Sequence, residues 1–101
     1  MAYYNRGLAY HELGNKQQAI ADYNKAIQID PKCADAYNNR GLAYSALGNK
    51  QQAIADYNKA IQLDPKGPTA YHNRGLAYQA LGNTAQANAD FAKAKELGYS
   101  G

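Results

Sequence analysis

The chain has 101 residues, of which 46% are hydrophobic, with ten Tyr, one Cys, no Trp and a formal net charge of +3. This length fits one small domain, and a lone Cys33 permits neither an intramolecular disulfide nor a thiolate metal cage. No apolar stretch approaches the roughly 20 residues that cross a bilayer, and charges of both signs are interspersed. The composition therefore excludes multidomain and membrane-spanning proteins, and we expect a soluble, cytoplasmic protein.

A unit of 34 residues accounts for the whole chain. Residues 5–10 return unchanged at 39–44 and 73–78, and residues 13–15 return unchanged at 47–49 and 81–83. We therefore expect one domain of three repeats, with repeat 1 at residues 1–33, repeat 2 at 34–67 and repeat 3 at 68–101.

Each repeat is predicted to contain two helices, because apolar and small residues recur at helical spacing and strand alternation is absent. The first helix of repeat 2 should stop at Gly48, which suits a left-handed C-terminal cap. Asn49 should cap the second helix in a capping box with Gln52, and the Asp64-Pro65 pair should end it. With the equivalent signals in the other repeats, the predicted helices are residues 2–13, 16–29, 36–47, 50–63, 69–81 and 84–97.

Repeat 2 combines a characteristic set of residues, namely Tyr37, Arg40, Gly41, Tyr44, Ala53, Tyr57 and Pro65. With this set, the repeat unit resembles the tetratricopeptide repeat, at that family's 34-residue period. The resemblance covers essentially the whole chain. It implies an all-α fold in which three antiparallel helix pairs stack as a right-handed solenoid, and a concave groove lined by the first helix of each pair.

An arginine stands in each first helix where the family often has leucine. An unpaired charge among packed helices is costly, so we expect each arginine to pair with an aspartate of a second helix. The alternative is an anion-binding ladder of arginines. The residues concerned are Arg6, Arg40 and Arg74, with Asp22, Asp56 and Asp90.

Repeats 1 and 2 differ at six aligned positions, and four of these lie on the first helix. In the family arrangement those positions face or border the groove, so the repeats vary mostly where a ligand would touch. At these four positions, repeats 1, 2 and 3 hold, in that order, Met1, Asp35 and Thr69; Tyr4, Asn38 and His72; His11, Ser45 and Gln79; and Glu12, Ala46 and Ala80.

Two rows of identical residues lie between these positions. The asparagine row is Asn5, Asn39 and Asn73, and the leucine row is Leu8, Leu42 and Leu76. Asparagine amides can hold a peptide backbone, and an apolar row lies one turn later on the same face. The alternative interpretation is that the asparagines satisfy neighbouring helices and the leucines fill space. The peptide-binding groove is therefore predicted to comprise Tyr4, Asn5, Leu8, His11, Glu12, Asp35, Asn38, Asn39, Leu42, Ser45, Thr69, His72, Asn73, Leu76 and Gln79.

The best-known partner of the family is the C-terminal carboxylate of a chaperone, held by lysines, an arginine and asparagines. Of those positions only Asn39 matches here, and the others hold Tyr4, Leu8, Thr69 and Asn73. We therefore expect an extended peptide or partner segment with apolar and uncharged polar side chains, rather than a chaperone tail.

Enzyme function is not expected, because His11 and His72 lie two repeats apart and no nucleophile adjoins either. We expect no metal, no cofactor and no nucleic-acid partner. Eight tyrosines recur at helix-packing positions and should be core wedges whose hydroxyls reach the surface. They are Tyr3, Tyr10, Tyr23, Tyr37, Tyr44, Tyr57, Tyr71 and Tyr78.

The two ends of the array differ. Repeat 3 replaces Ile54 and Ile61 by Asn88 and Lys95, which suits a terminal repeat with a polar outer face. At the other end, we expect the outer side of the first helix to be uncovered. The alternative to peptide binding is therefore a self-associating structural or designed repeat without a dedicated ligand, and we expect a monomer or weak association through the terminal helices.

Overall fold

The computed structural model describes residues 2–100. Met1 and Gly101, the outermost positions of the predicted repeats, lie outside the described residues. The described part of the chain contains no strand and forms six helices, each within two residues of its predicted span: α1 (Ala2–Glu12), α2 (Lys16–Ile29), α3 (Ala34–Ala46), α4 (Lys50–Leu63), α5 (Pro68–Ala80) and α6 (Thr84–Glu96).

Glycine ends each first helix, as predicted. Gly48 has a φ of +85°, in the left-handed region that residues with a Cβ rarely adopt. The backbone N–H of Asn49 then donates to the carbonyl of Tyr44 at 2.9 Å, which satisfies an end carbonyl of α3. The same turn in the other repeats leads from each first helix into the second.

Asparagine side chains cap two of the three second helices. Oδ1 of Asn15 accepts the backbone N–H of Gln18 at 3.3 Å, and Oδ1 of Asn49 accepts that of Gln52 at 3.2 Å. The prediction was wrong for Asn83, whose side chain makes no capping hydrogen bond. The return bonds of a full capping box are also absent from the described residues.

The helices stack in chain order as antiparallel pairs. Each second helix packs on the first helix of its own repeat. α2 and α4 also pack on the first helix of the next repeat, and α3 contacts both α1 and α5. The predicted all-α solenoid of three helix pairs is confirmed. No helix within residues 2–100 has both the length and the apolar character that a membrane span requires.

The core consists of small residues and buried aromatic rings between the helices. Ala53, Tyr57 and Ala77 form one cluster across α4 and α5, and Ile54 packs against it. Tyr57 and Tyr23 are fully buried. The prediction that tyrosine hydroxyls reach the surface was therefore wrong for Tyr23, whose hydroxyl is buried without a hydrogen-bond partner in the described chain; burial raises its pKa to about 12.

The predicted arginine–aspartate pairs are confirmed in all three repeats. In repeat 2, Nε of Arg40 donates to Oδ2 of Asp56 at 2.9 Å, and Nη2 donates to Oδ1 at 2.7 Å. This bidentate geometry satisfies a carboxylate that is almost completely buried. The equivalent pairs are Arg6 with Asp22 and Arg74 with Asp90.

Candidate functional site

Polar side chains of the first helices are joined across consecutive repeats. Nδ2 of Asn39 on α3 donates to the hydroxyl of Tyr4 on α1 at 2.9 Å. Nδ2 of Asn73 on α5 donates to Oδ1 of Asn38 on α3 at 3.0 Å. Four of the predicted site residues therefore form two links along the face of α1, α3 and α5, which we call the first-helix groove.

Within the described part of the chain, the Tyr4–Asn39 pair keeps one hydrogen-bond donor and one acceptor free for a ligand. Asn39 donates to Tyr4 and to the backbone carbonyl of Asp35, so Nδ2 is engaged while neither bond uses Oδ1. The Tyr4 hydroxyl accepts one bond and still carries its own hydrogen. Burial, together with the nearby charge of Asp35, raises the pKa of Tyr4, so the phenol stays protonated at neutral pH.

The asparagine row is not uniform along the groove. Asn5 is exposed and Asn39 is half-buried, whereas Asn73 is only 8% exposed. The accessible amide at the α3–α5 link is that of Asn38, because its Nδ2 is not used in the bond to Asn73.

A depression of about 240 Å³ opens between repeats 2 and 3 beside this link. Three predicted site residues, Asp35, Asn38 and Thr69, contribute to its lining. The other lining residues come from the start of α3, the end of α4, the following turn and the start of α5. Sequence reasoning missed them, although the Asp-Pro-Lys-Gly-Pro turn indicates that α4 and α5 lie close together there. The full lining is Ala34, Asp35, Asn38, Ala60, Asp64, Gly67, Pro68, Thr69 and Ala70.

The leucine row changes from partly buried to exposed along the chain. Leu8 and Leu42 are half-buried, and Leu42 packs against the Ala53–Tyr57–Ala77 cluster. Leu76 is exposed. Leu42 thus contributes to the core, while Leu76 is the row member most accessible to a ligand.

The variable residues near the ends of the first helices differ in accessibility. Glu12 and Gln79 are exposed, and the Ser45 hydroxyl accepts a hydrogen bond from Nζ of Lys50 at 2.9 Å. Nδ1 of His11 is buried and has no partner among residues 2–100. Burial lowers the pKa of His11, with the positive charge of Lys16 acting in the same direction.

His72 is covered on one side by the chain that follows α6. Its ring stacks on that of Tyr99, with centroids 4.1 Å apart and planes 15° from parallel. Tyr99 stands where repeats 1 and 2 have proline, and nothing in the sequence pattern predicts the contact. His72 is therefore half-buried, whereas Thr69 in the first turn of α5 is exposed.

The described residues hold no group of three or more His, Cys, Asp or Glu side chains placed to bind a metal ion. The arginines are also engaged, since two nitrogens of each bind an aspartate of the second helix. What the first-helix groove offers is amide and hydroxyl groups beside an exposed leucine. This chemistry suits the recognition of a peptide backbone.

Sequence profiles of the tetratricopeptide repeat match residues 1–33 and 34–66, and a second profile with the same description matches residues 56–89. The chain belongs to the tetratricopeptide repeat family. Members of this family are protein-interaction modules. A comparison with curated proteins finds no match.

Solved tetratricopeptide repeat structures superpose closely on the chain. The first repeat domain of Spaghetti (RPAP3), bound to the HSP90 peptide SRMEEVD, is 31% identical with a TM-score of 0.94, covering 96% of this chain and 77% of that one. The Arabidopsis OM64 repeat domain is 33% identical with a TM-score of 0.94, covering 96% and 80%. MamA is 38% identical with a TM-score of 0.91; the match covers 95% of this chain and only 56% of MamA.

Proposed function

We propose that the chain is a non-enzymatic interaction module that binds an extended peptide in the first-helix groove. The observation that carries the proposal is the Tyr4–Asn39 hydrogen bond, which holds two side chains in place between repeats 1 and 2. The phenol can donate to a peptide carbonyl and Oδ1 of Asn39 can accept a peptide N–H. Because the two groups already bind each other, ordering them costs a ligand little conformational entropy.

The neighbouring depression between repeats 2 and 3 extends this surface along α3. Asn38 offers an amide donor at its edge, and Thr69 offers a hydroxyl on the opposite helix. An extended segment that crosses from Tyr4 to Thr69 thus meets polar groups at both inter-repeat crossings, with the exposed Leu76 further along α5.

The proposed partner has apolar and uncharged polar side chains, and it is not an acidic C-terminal tail. The structure of the first Spaghetti domain contains an acidic peptide, the HSP90 peptide SRMEEVD. In this chain the corresponding cationic positions hold Tyr4, Thr69 and Asn73. Asn73 is buried and bound to Asn38, and Asp35 adds negative charge. The carboxylates of an acidic peptide would therefore find no cationic partner among the described residues of the groove.

Selection of a random peptide library on the immobilised chain, followed by calorimetric titration of the enriched peptides, tests the proposal. Tyr4→Phe and Asn39→Ala should each weaken binding at least tenfold while leaving the melting temperature nearly unchanged. Gln62→Ala, an exposed change on α4, is the matched control and should bind like the parent chain. The peptide SRMEEVD should not bind.

The proposal is wrong if no peptide family is enriched, or if enriched peptides bind the Tyr4 and Asn39 variants as tightly as the parent. Tight binding of SRMEEVD would show that the partner chemistry is wrong. Leu42→Ala is not a suitable probe, because Leu42 also packs against the core.

A further inference from the structure

One face of α1 is exposed although the same face is buried in the other two first helices. The residues at spacing i, i+4 and i+7 are Ala2, Arg6 and Ala9, and all three are exposed. Their counterparts in repeat 2, Ala36 and Ala43, are completely buried. We call the surface of Ala2, Arg6 and Ala9 the N-terminal face.

The difference between the repeats is the preceding second helix. α3 packs on α2 and α5 packs on α4, whereas α1 contacts only α2 and α3 within residues 2–100. The buried counterpart on α5, Ala77, lies in a cluster with Ala53 of α4, against which Ile54 of α4 also packs. The chain itself therefore shows what kind of surface covers this face.

The arginines report the same difference in hydrogen bonding. Nη1 of Arg40 donates to Oδ1 of Asn24 on α2 at 2.8 Å, and Nη1 of Arg74 donates to Oδ1 of Asn58 on α4 at 2.9 Å. Each asparagine belongs to the preceding repeat. The Arg40 and Arg74 side chains are 18% and 21% exposed, whereas that of Arg6 is 56% exposed.

An apolar depression adjoins the N-terminal face. It has a volume of about 210 Å³ and is lined by Ala2, Tyr3, Ala26 and Ile29. Ile29 and Tyr3 are among the large hydrophobic side chains that the chain leaves exposed. The N-terminal face therefore combines exposed apolar surface with the Arg6 guanidinium, which has an unused donor within the described residues. A helix that docks on this face can contact both.

We propose that the N-terminal face docks a partner helix with the recognition pattern of α2 and α4. That pattern is isoleucine, asparagine and isoleucine at spacing i, i+4 and i+7, as in Ile20, Asn24 and Ile27. The asparagine side-chain oxygen accepts from Nη1 of Arg6, and the two isoleucines cover Ala9 and the start of α1. This inference concerns a different surface from the first-helix groove and does not depend on it.

The occupant is not the last helix of a second copy. On α6 the three pattern positions hold Asn88, Ala92 and Lys95. Ala92 has no acceptor for Arg6, and Lys95 brings a positive charge to a face that already holds a guanidinium. Head-to-tail stacking of two copies therefore lacks both the hydrogen bond and the apolar contacts.

A helix-stabilised peptide with the sequence of α2 tests the proposal. A side-chain cross-link between positions 21 and 25, both exposed in α2, keeps the isolated helix folded. Titrated into the isotope-labelled chain, it should shift the amide resonances of Ala2, Arg6 and Ala9. A control peptide with I20N, N24A and I27K, which reproduces the α6 pattern, should bind at least tenfold more weakly.

Chain variants locate the binding. Ala9→Glu should abolish the shifts, and because Ala9 is exposed the change should not affect folding. Ala46→Glu, exposed at the end of α3, should bind like the parent. No shifts on α1 at millimolar peptide, or shifts confined to α3 because the peptide replaces α2, would overturn the proposal.

The reverse experiment transfers the pattern to α6. The triple variant N88I, A92N and K95I should increase in light-scattering mass with concentration, and adding Ala9→Glu should return it to a monomer. The parent chain should stay near 11.0 kDa under the same conditions. Equal association of parent and triple variant would show that the face accepts a second copy without the pattern, contrary to the proposal.

Discussion

The ring of Tyr57 lies against Gly41 so closely that a Cβ at Gly41 would be 2.6 Å from Cε1 of the tyrosine. The same relation joins Gly7 with Tyr23 and Gly75 with Phe91. Glycine lies within each of these first helices, although it lowers helix stability by about 1 kcal/mol relative to alanine. The close approach of the aromatic ring explains its presence.

Gly41→Ala should therefore destabilise the chain by about 1–2 kcal/mol, because the cost of overpacking exceeds the gain in helix propensity. Urea denaturation measures the change. In a Tyr57→Leu background, where Cε1 and the rest of the ring are gone, the same glycine change should cost less. An equal cost in both backgrounds would mean that the ring contact is not the cause.

Arg40 should contribute more to stability than Arg6. Arg40→Ala leaves the Asp56 carboxylate buried without its partner and also removes the bond to Asn24, so we expect a loss of about 3 kcal/mol. Among the described residues, Arg6 donates hydrogen bonds only to Asp22 of its own repeat, and water can reach Asp22 once the exposed Arg6 side chain is removed. Arg6→Ala should thus cost less in thermal and urea denaturation, and equal losses would contradict the ranking.

His11 should make stability depend on pH near neutrality. Burial lowers its pKa below the ordinary value of 6.5, with Lys16 lowering and Glu12 raising it. The pKa of His11 is thus lower in the folded chain than in the unfolded chain. At pH values between these two, the unfolded chain binds more protons than the folded one, so the free energy of unfolding falls as pH decreases through this range. Above the pKa of His11 in the unfolded chain, the imidazole is neutral in both states, and its protonation no longer lowers the free energy of unfolding.

Urea denaturation from about pH 8 to about pH 5 measures this effect. His11→Ser, which installs the residue of repeat 2, should reduce the slope of stability against pH in this range. An unchanged slope in the serine variant would assign the pH dependence to other groups.

Asn49 and Asn83, at the N-terminal ends of α4 and α6, should contribute differently to the stability of the chain. Asn49→Ala removes the bond to the N–H of Gln52 and should destabilise the chain by about 1 kcal/mol. Asn83→Ala should cost less, because the Asn83 side chain makes no capping bond. Thermal denaturation of the two variants compares the same substitution at equivalent positions, and a larger loss for Asn83 would contradict the structure.

The helix ends and the arginine–aspartate pairs within each repeat could be predicted because local chemistry determines them. Gly48 needs its left-handed conformation whatever surrounds it, and proline after Asp64 limits α4. The pairing of Arg40 with Asp56 followed from the cost of an unpaired charge between helices. These arguments need only the repeat period and the properties of single residues.

Contacts between repeats were harder to predict because they depend on how far neighbouring helices are offset. The Asn24–Arg40 bond joins an asparagine that looks like an ordinary surface residue to an arginine already assigned to Asp56. Asn38 and Asn73 likewise gave no sign that one would shield the other. In the candidate groove, the sequence identified the helix face but not which of its amides stay accessible.

The pattern of helix contacts has a consequence for how the chain opens. α1 does not touch repeat 3 within the described residues, and every contact is within a repeat or with its neighbour. Stability is then a sum of local terms, and an outer repeat can detach while the other two remain folded. Repeat 2 shares boundaries with both neighbours, so backbone amides of α3 and α4 are the last to become accessible to solvent during fraying from either end.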